Sequence, residues 1–245
     1  MKNPNSMQDL DAIPVISLPV LVAMLLASAL GVAAAVILLP AALPSLSGSL
    51  AGTEPKAFWY LARSSAWVAY FLLWLSMTLG LLITSKAARL WPGGPVAYDV
   101  HQFASLLSLV VALFHGLILT GDRYINISVV QVFIPFSNPD YRTFWVGLGQ
   151  LGFYLLGIVG LSFYIRRVIT PRRWRLIHFL SFLIYIFVLW HGITSGTDTA
   201  QPWATAAYWF TGGSILFLTM YRIMNSILTR LLDSPSLSSG VVRGA

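Results

Sequence analysis

The histidines are the residues of this chain whose number and spacing point most directly to chemistry. There are four, and each falls within a long apolar stretch of the sequence. His101 and His115 share one stretch at an interval of 14 residues, and His178 and His191 share another at an interval of 13. At about 1.5 Å of rise per residue, these intervals separate the members of each stretch by roughly 21 and 20 Å along a helix. Ionisable side chains inside apolar spans are costly, so all four are candidates for function.

Two helices that run in the same direction would bring these histidines together as two pairs at two depths. His101 would lie beside His178 near the inner membrane surface, and His115 beside His191 near the outer surface. This arrangement can place one imidazole on each side of two stacked haems. The chain has no cysteine, which excludes thioether-linked haem and iron–sulfur clusters. The consistent cofactor is therefore two non-covalent b-type haems with bis-histidine axial ligation.

The spacing of the histidines is not uniform. An interval of 14 residues returns to within about 40° of the same helix face, whereas an interval of 13 misses that face by roughly 140°. Tilt or distortion of the helix, or an offset between the haems, would have to absorb the difference. Interhelical hydrogen bonding is an alternative interpretation, and so is a haem-free metal or proton transporter that uses the histidines as ligands or as a relay.

The composition places the chain in a membrane. Hydrophobic residues make up 57% of the 245 positions and charged residues only 9%, against roughly 25% charged residues in soluble domains. Six apolar runs are each long enough to cross about 30 Å of hydrocarbon as a helix. They lie at about Ile13–Leu43, Trp59–Thr84, Tyr98–Thr120, Thr143–Ile165, Trp174–Thr194 and Trp203–Met224. We therefore predict an all-α integral membrane protein, a six-transmembrane-helix bundle around two stacked b-type haems, with no room for a soluble catalytic domain. The longest outer segment, about Gly121–Arg142, is predicted to lie as an amphipathic cap in the membrane interface.

Basic residues predict the orientation of the bundle. Eleven of the 15 Lys and Arg residues fall on one side, five of them between Arg166 and Arg175, and four fall on the other. The positive-inside rule then places both termini in the cytoplasm of a multi-pass plasma-membrane protein. We predict a cytoplasmic N-terminus over residues 1–12, the six-helix domain over 13–225 with a retained first helix, and a disordered Ser/Gly-rich cytoplasmic tail over 226–245. The net charge of +7 reflects this topology, so no nucleic-acid partner is expected.

Three arginines are candidates to bind haem propionates. Arg63 enters the second span near its outer end, where a charge is expensive, and is predicted to meet the outer haem. Arg173 and Arg175 lie at the inner end of the fifth span and are predicted to meet the inner haem. Snorkelling and the positive-inside rule would explain the same residues without a cofactor.

Two further motifs lie near the histidines. Both outer histidines are followed by a glycine, Gly116 or Gly192, and by an aspartate seven residues later, Asp122 or Asp198. The glycines could admit a porphyrin or make helix contacts, and the aspartates are expected to anchor helix ends. The run Gly147–Gly152 matches GxGxxG, but it opens a membrane helix and no acidic residue follows about 20 positions on. No dinucleotide site is therefore expected.

Three segments of the chain resemble a known family. ARSSAWVAYFLLWLSMTLGLL, DVHQFASLLSLVVALFHGLILTGD and TPRRWRLIHFLSFLIYIFVLWHGITSGTDT are similar to the ferric reductase-like transmembrane domain. NADPH oxidases, ferric-chelate reductases and the haem-containing membrane subunit of the bacterial methionine-sulfoxide reductase system share this domain. The resemblance covers about residues 59–225 and implies a six-helix, two-haem protein that passes single electrons across the membrane. It implies His101 and His178 as inner ligands, His115 and His191 as outer ligands, and Arg63 near the outer haem.

The resemblance also implies redox partners. Eukaryotic oxidases and reductases of the family carry a C-terminal domain that binds FAD and NADPH, whereas no flavin or NAD(P) site is expected in this chain. The donor is therefore predicted to be a separate cytoplasmic flavoprotein reductase or a quinol in the lipid bilayer. The outer acceptor would be a ferric chelate, dioxygen or a redox protein. The chain would act as a ferric reductase-like oxidoreductase or, alternatively, as a haem-containing membrane anchor that donates electrons to a partner redox enzyme.

Overall fold

The computed structural model describes residues 14–42, 57–90, 92–123 and 125–232. Within these ranges the chain forms α-helices and short 3-10 turns, and no β-strand occurs there. The α-helices are α1 (Leu18–Ala42), α2 (Ala57–Thr84), α3 (Gly94–Ile118), α4 (Val129–Phe133), α5 (Thr143–Ser162), α6 (Pro171–Ser195) and α7 (Pro202–Leu232). The all-α prediction is therefore confirmed for this part of the chain. The predicted N-terminal segment, 1–12, and residues 233–245 of the predicted tail lie outside it.

Five of the described helices are long and apolar enough to cross a membrane: α1, α2, α3 with the 3-10 turn that follows it, α5 and α6. They indicate a multi-pass membrane protein. The sixth predicted span corresponds to α7, which has 31 residues but is diluted by Trp, Tyr, Thr, Ser and Gly and is not among the five. A six-span bundle therefore stays a prediction.

The Ser/Gly-rich stretch for which we predict disorder begins at about Asp233 and lies outside the described residues. Before it, α7 continues to Leu232, so residues 226–232 of the predicted tail are helical. The reason lies in the composition of this stretch, because Leu, Arg and Ile are compatible with a helix interior and neither Gly nor Pro interrupts them.

Local sequence sets where the two histidine-bearing helices begin. α6 starts at Pro171, and the hydroxyl of the preceding Thr170 accepts a hydrogen bond of 3.4 Å from the backbone N–H of Arg173. α3 starts at Gly94 and also has a proline in its first turn. Proline is tolerated at these positions because the first N–H groups of a helix have no partner within the helix. Both helices then run uninterrupted for 25 residues, so the helical rise assumed for the histidine intervals applies.

Two helix pairs and a central apolar cluster form the bundle. α2 packs most closely with α3, and α5 packs with α6. The hydroxyl of Ser108 on α3 donates a buried hydrogen bond of 3.0 Å to the carbonyl of Ala69 on α2. The central cluster joins both pairs to α7, and its buried members are Tyr70, Leu73, Met77, Leu81, Leu109, Leu156, Ile184, Tyr185 and Ile215. Because Leu109 and Tyr185 lie between the two histidines of their helices, this cluster separates the two histidine levels.

The connection between α3 and α5, predicted to lie on the outer side, is folded into a cap. α4 begins with a capping box formed by Ser128 and Gln131. Gln150 of α5 holds this short helix, since its side-chain amide donates hydrogen bonds of 2.6 and 2.8 Å to the carbonyls of Gln131 and Val132. Large apolar side chains of the cap remain exposed: Val129, Val130, Phe133, Ile134 and Phe136. This arrangement agrees with the predicted amphipathic cap.

The contact of α1 with the outer end of α3 can be tested at Gly121. A Cβ there would lie 2.9 Å from both the Phe58 ring and a methyl group of Val36. Phe58 is only 1% exposed and has no room to move. We expect Gly121→Ala to lower the free energy of unfolding by about 1–3 kcal/mol through overpacking, as measured by denaturant unfolding in detergent.

Gly31→Ala is the matched control for this substitution. Nothing lies within 4 Å of a Cβ at Gly31, which is in the exposed middle of α1. Alanine has the higher helix propensity, so this variant should be neutral or stabilised by up to about 1 kcal/mol. Equal stability of the two variants would contradict the packing described at Gly121.

Candidate functional site

The structure brings the four histidines together as two pairs, each formed between α3 and α6. The ring centroids of His101 and His178 are 6.0 Å apart, and those of His115 and His191 are 6.3 Å apart. The interplanar angle is 69° in both cases. We refer to them as the inner pair and the outer pair, after their predicted depths. The two pairs repeat nearly the same geometry at two levels of the same two helices.

Two backbone carbonyls of α2 orient the histidines of α3. Nδ1 of His101 lies 2.8 Å from the carbonyl oxygen of Ser76, and Nδ1 of His115 lies 2.8 Å from that of Ala62. Because a carbonyl only accepts hydrogen bonds, each Nδ1 must carry the proton and donate it. The lone pair of each Nε2 is then available to bind a metal. The two carbonyls are 14 residues apart, as are the two histidines, since α2 and α3 pack antiparallel and in register.

The histidines of α6 are held by different neighbours. Nδ1 of His191 donates to the carbonyl of Trp145 on α5 at 3.0 Å, so its Nε2 is also available. His178 stacks against Trp174, one helical turn earlier, with ring centroids 5.2 Å apart and an interplanar angle of 22°. His178 also interacts electrostatically with Arg222 of α7. Different neighbours are expected for two side chains whose 13-residue interval does not return to one helix face.

The glycines of the GxGxxG-like run of α5 act in packing. A Cβ at Gly149 would lie 2.7 Å from Cγ and Nδ1 of His191. A Cβ at Gly147 would lie 2.1 Å from the Phe136 ring of the cap, and one at Gly152 would lie 3.0 Å from a side chain of α6. Without side chains at these positions, α5 can approach α6 closely enough for its carbonyl to reach His191. This role explains the motif without a dinucleotide.

A cavity of about 220 Å³ lies beside the outer pair. Its wall is mainly apolar and is formed by side chains of α2, α3, α5, α6, α7 and the cap. The wall contains both histidines of the outer pair and several glycines: Gly116, Gly149, Gly152, Gly192 and Gly196. Protein interiors have few voids larger than a water molecule, so a cavity of this size is a candidate binding site.

The two glycines that follow the outer histidines face other parts of the protein. A Cβ at Gly116 would lie 3.2 Å from a methyl group of Val132 in the cap, and a Cβ at Gly192 would lie 3.0 Å from the Tyr208 hydroxyl. Close contact within the bundle is therefore one reason for glycine at both positions. A second reason is that both also line the cavity. Ser195 lines the cavity as well, and its buried hydroxyl has no hydrogen-bond partner among the described residues.

An ion pair forms the polar part of the cavity wall. Nε of Arg63 donates to Oδ2 of Asp198 at 3.1 Å, and a second guanidinium nitrogen contacts Oδ1. The indole N–H of Trp67 lies 3.5 Å from the same carboxylate. The guanidinium of Arg63 pairs with this carboxylate because the α6–α7 connection carries Asp198 to that end of α2. The predicted contact of Arg63 with a haem propionate stays a prediction. Asp122 accepts a hydrogen bond of 3.0 Å from the N–H of Ile125, as expected for an acid that anchors a helix end.

Arg173 and Arg175, the arginines predicted for the inner site, are exposed in the first turns of α6. Their contact with the inner haem stays a prediction. Sequence reasoning missed Arg222 and Trp174, which do approach His178. The indole nitrogen of Trp174 is buried and has no hydrogen-bond partner in the described ranges. The sequence could have identified Trp174, because a position four residues before His178 places both side chains on one helix face.

Each pair supplies only two nitrogen ligands. Within the described ranges, no group of three or more His, Cys, Asp or Glu residues lies close enough to hold a metal ion. Metal sites made by protein side chains alone use three or four ligands for zinc and more for calcium. A metal at either pair would therefore need its remaining ligands from a bound group.

Comparisons with protein-family models, curated proteins and solved structures find no match to this chain. The resemblance to the ferric reductase-like transmembrane domain thus rests on the three quoted segments. The histidine pairs, their hydrogen bonds and the cavity beside the outer pair are the features from which a function can be inferred.

The ion pair at the cavity wall gives a stability prediction. Asp198→Asn leaves the guanidinium of Arg63 half-buried and without its countercharge. The two side chains are 32% and 12% exposed, so we expect a loss of about 1–2 kcal/mol, below the 3–5 kcal/mol typical of a fully buried pair. Denaturant unfolding in detergent measures it. The double variant R63Q/D198N should lose less than the sum of the two single variants. Strictly additive losses would show that the two residues do not interact.

Proposed function

We propose that this chain is a haem-binding membrane protein that carries single electrons from a donor in the cytoplasm or the bilayer to an acceptor on the outer face. The observation that carries the proposal is the geometry of the two imidazole pairs. They lie at two levels of the same two helices, α3 and α6, roughly 20 Å apart along the helix axes. Redox groups at these two levels would connect the two sides of the membrane.

The distances within the pairs fit two imidazoles bound to one metal. A bond from a metal to an imidazole nitrogen is about 2.0–2.1 Å, and the nitrogen lies roughly 1.1 Å from the ring centroid, so two rings on opposite sides of a metal have centroids roughly 6.3 Å apart. The observed separations are 6.0 and 6.3 Å. Three of the four rings also donate Nδ1–H to a carbonyl, the second contact that metal-binding histidines usually make.

The number of ligands supports haem rather than a bare metal ion. Two imidazoles complete the coordination of an iron whose other four ligands come from a porphyrin. Since the sequence has no cysteine, the form that fits is haem b, with His101 and His178 at the inner site and His115 and His191 at the outer site. Haem held in this way supplies a one-electron ferric/ferrous couple, and the surrounding groups set its potential.

The cavity beside the outer pair has features that suit a flat, largely apolar ring with acidic substituents. Its wall is apolar, and glycines keep it open next to His191. Arg63 stands in the wall with a planar guanidinium that binds carboxylates well. We propose that the guanidinium of Arg63 binds a propionate of the outer haem while Asp198 keeps the Arg63 side chain in position. Arg173 and Arg175 remain candidates for the inner haem.

The direction and partners of electron flow follow from the charge distribution and the resemblance. The excess of Lys and Arg at the end that holds the inner pair favours a cytoplasmic location for that end and for both termini. We therefore propose a plasma-membrane protein that accepts electrons from a flavoprotein reductase or from quinol. A ferric chelate, dioxygen or a redox protein would be the acceptor.

Vectorial electron transfer in proteoliposomes tests the proposed function. The full chain, expressed with added haem, is reconstituted with ferricyanide trapped inside and dithionite added outside. Neither reagent crosses the lipid readily, so we expect ferricyanide to be reduced much faster than in protein-free liposomes. His115→Ala removes one of the two imidazoles that would hold the outer haem and should reduce the rate to that of protein-free liposomes.

Gly149→Ala provides a milder test with a matched control. Its new methyl group would displace the His191 imidazole, so outer-site haem occupancy and the electron-transfer rate should both fall. Gly213→Ala on α7 should behave like the wild type because nothing lies within 4 Å of a Cβ there. Wild-type rates for both His115→Ala and Gly149→Ala would contradict the proposal. A colourless protein that transports metal ions or protons would favour the haem-free transporter instead.

A further inference from the structure

A second cavity lies at the end of the bundle that holds the inner pair, in a groove between α6 and α7. Its volume is about 500 Å³. The residues that matter are Phe179 and Phe182 of α6 and Arg222, Ile223, Ser226 and Arg230 of α7. After Ile215 the side chains of α7 are half-buried or exposed, so this part of the helix leaves a groove against α6. It is separate from the cavity beside the outer pair, which shares none of these residues.

The polar residues of the groove form one stripe along α7. Arg222, Ser226 and Arg230 follow one another at intervals of four residues and therefore share a helix face. No acidic residue lines the groove, and neither arginine forms an ion pair within the described part of the chain. Two guanidinium groups and a hydroxyl thus face an open groove without a countercharge. This pattern is complementary to a singly charged phosphodiester.

The opposite wall of the groove is apolar. The rings of Phe179 and Phe182 are stacked, with centroids 6.4 Å apart and an interplanar angle of 21°. The guanidinium of Arg222 lies 5.9 Å from the centroid of the Phe179 ring. Phe179 and Ile223 remain 53% and 46% exposed, so they offer apolar surface to an occupant or to lipid. Cationic and apolar surfaces are thus combined in one groove.

The length of α7 places this combination at the level of lipid headgroups. A helix of 31 residues is about 46 Å long, whereas the hydrocarbon core is about 30 Å thick. With α7 as the sixth span predicted from the sequence, its last turns, which contain Ser226 and Arg230, would extend beyond the hydrocarbon. Basic pockets between membrane helices on the cytoplasmic side are known to recognise anionic lipid headgroups.

We propose that this groove binds an anionic phospholipid. The phosphodiester would lie between Arg222 and Arg230, with the Ser226 hydroxyl as a further donor, and an acyl chain would run along Phe179 and Ile223. Occupation would neutralise Arg222, the residue that interacts electrostatically with His178. This site goes beyond the proposed electron transfer and does not depend on it, since it needs only a bilayer.

Lipid retention by the full chain, measured by native mass spectrometry from a neutral detergent, tests the site. Phosphatidylglycerol and phosphatidylcholine with identical acyl chains are added in separate experiments. We expect the wild type to retain phosphatidylglycerol preferentially, and R222Q/R230Q to retain about tenfold less of it. The control R89Q/R172Q removes the same charge from two exposed arginines outside the groove and should retain lipid like the wild type.

Three results would overturn the proposal. They are undiminished retention by R222Q/R230Q, an equal loss in R89Q/R172Q, and equal retention of phosphatidylcholine by the wild type. A photoactivatable phosphatidylglycerol used on the unmodified protein gives an answer that does not depend on how the variants fold. Label on residues 179–182 and 219–230 is expected, and label confined to other helices would exclude the groove. An unmodified protein that retains no phosphatidylglycerol but has a normal haem content would overturn the lipid site and leave the electron-transfer proposal standing. An unmodified protein that retains the lipid but binds no haem would do the opposite.

Discussion

The candidate site depends first on the antiparallel register of α2 and α3. Only one register lets the carbonyls of Ser76 and Ala62 meet Nδ1 of His101 and His115 at the same time. These bonds fix the tautomer and direct both Nε2 atoms away from α2. A shift of α2 by one residue along its axis would rotate the carbonyls away and leave two buried imidazoles without a partner, which is costly in an apolar interior. The packing of α2 against α3 therefore also determines which nitrogen of His101 and of His115 is available to bind a metal.

The histidines of α6 are placed by the packing of α5 and α6 against α2 and α3. Gly149 lets α5 lie against His191, and the Trp145 carbonyl then orients the imidazole as α2 orients its counterparts. The connection after α6 carries Asp198 back over α2, where it pairs with Arg63. The outer pair is thus enclosed between two helix pairs, the cap and an ion pair. The groove that contains Arg222 begins at Phe179, the residue after His178, and neither histidine of the inner pair lines it.

Features encoded by local patterns were predictable from the sequence, and features set by long-range packing were not. The apolar runs predicted the positions of the helices. The histidine intervals predicted the two pairs, because the constant rise per residue of a helix relates spacing in the sequence to distance along the helix axis. The orienting carbonyls could not be named, since every residue has one and only the helix register selects among them. Arg63 and Asp198 are 135 residues apart, so their pairing required the tertiary fold. Gly149 belongs to the run that matches the GxGxxG pattern of dinucleotide-binding loops. That match drew attention away from its role in packing against His191.

The central claim is that each histidine pair holds one haem b. The most direct measurement is the absorption spectrum of the detergent-purified full chain, air-oxidised and then reduced with dithionite, together with a pyridine haemochrome count. The account predicts b-type bands in the reduced protein and two haems per chain. A protein that stays colourless after expression with added haem would contradict it. So would a count that is unchanged when His115 and His191 are both replaced by alanine.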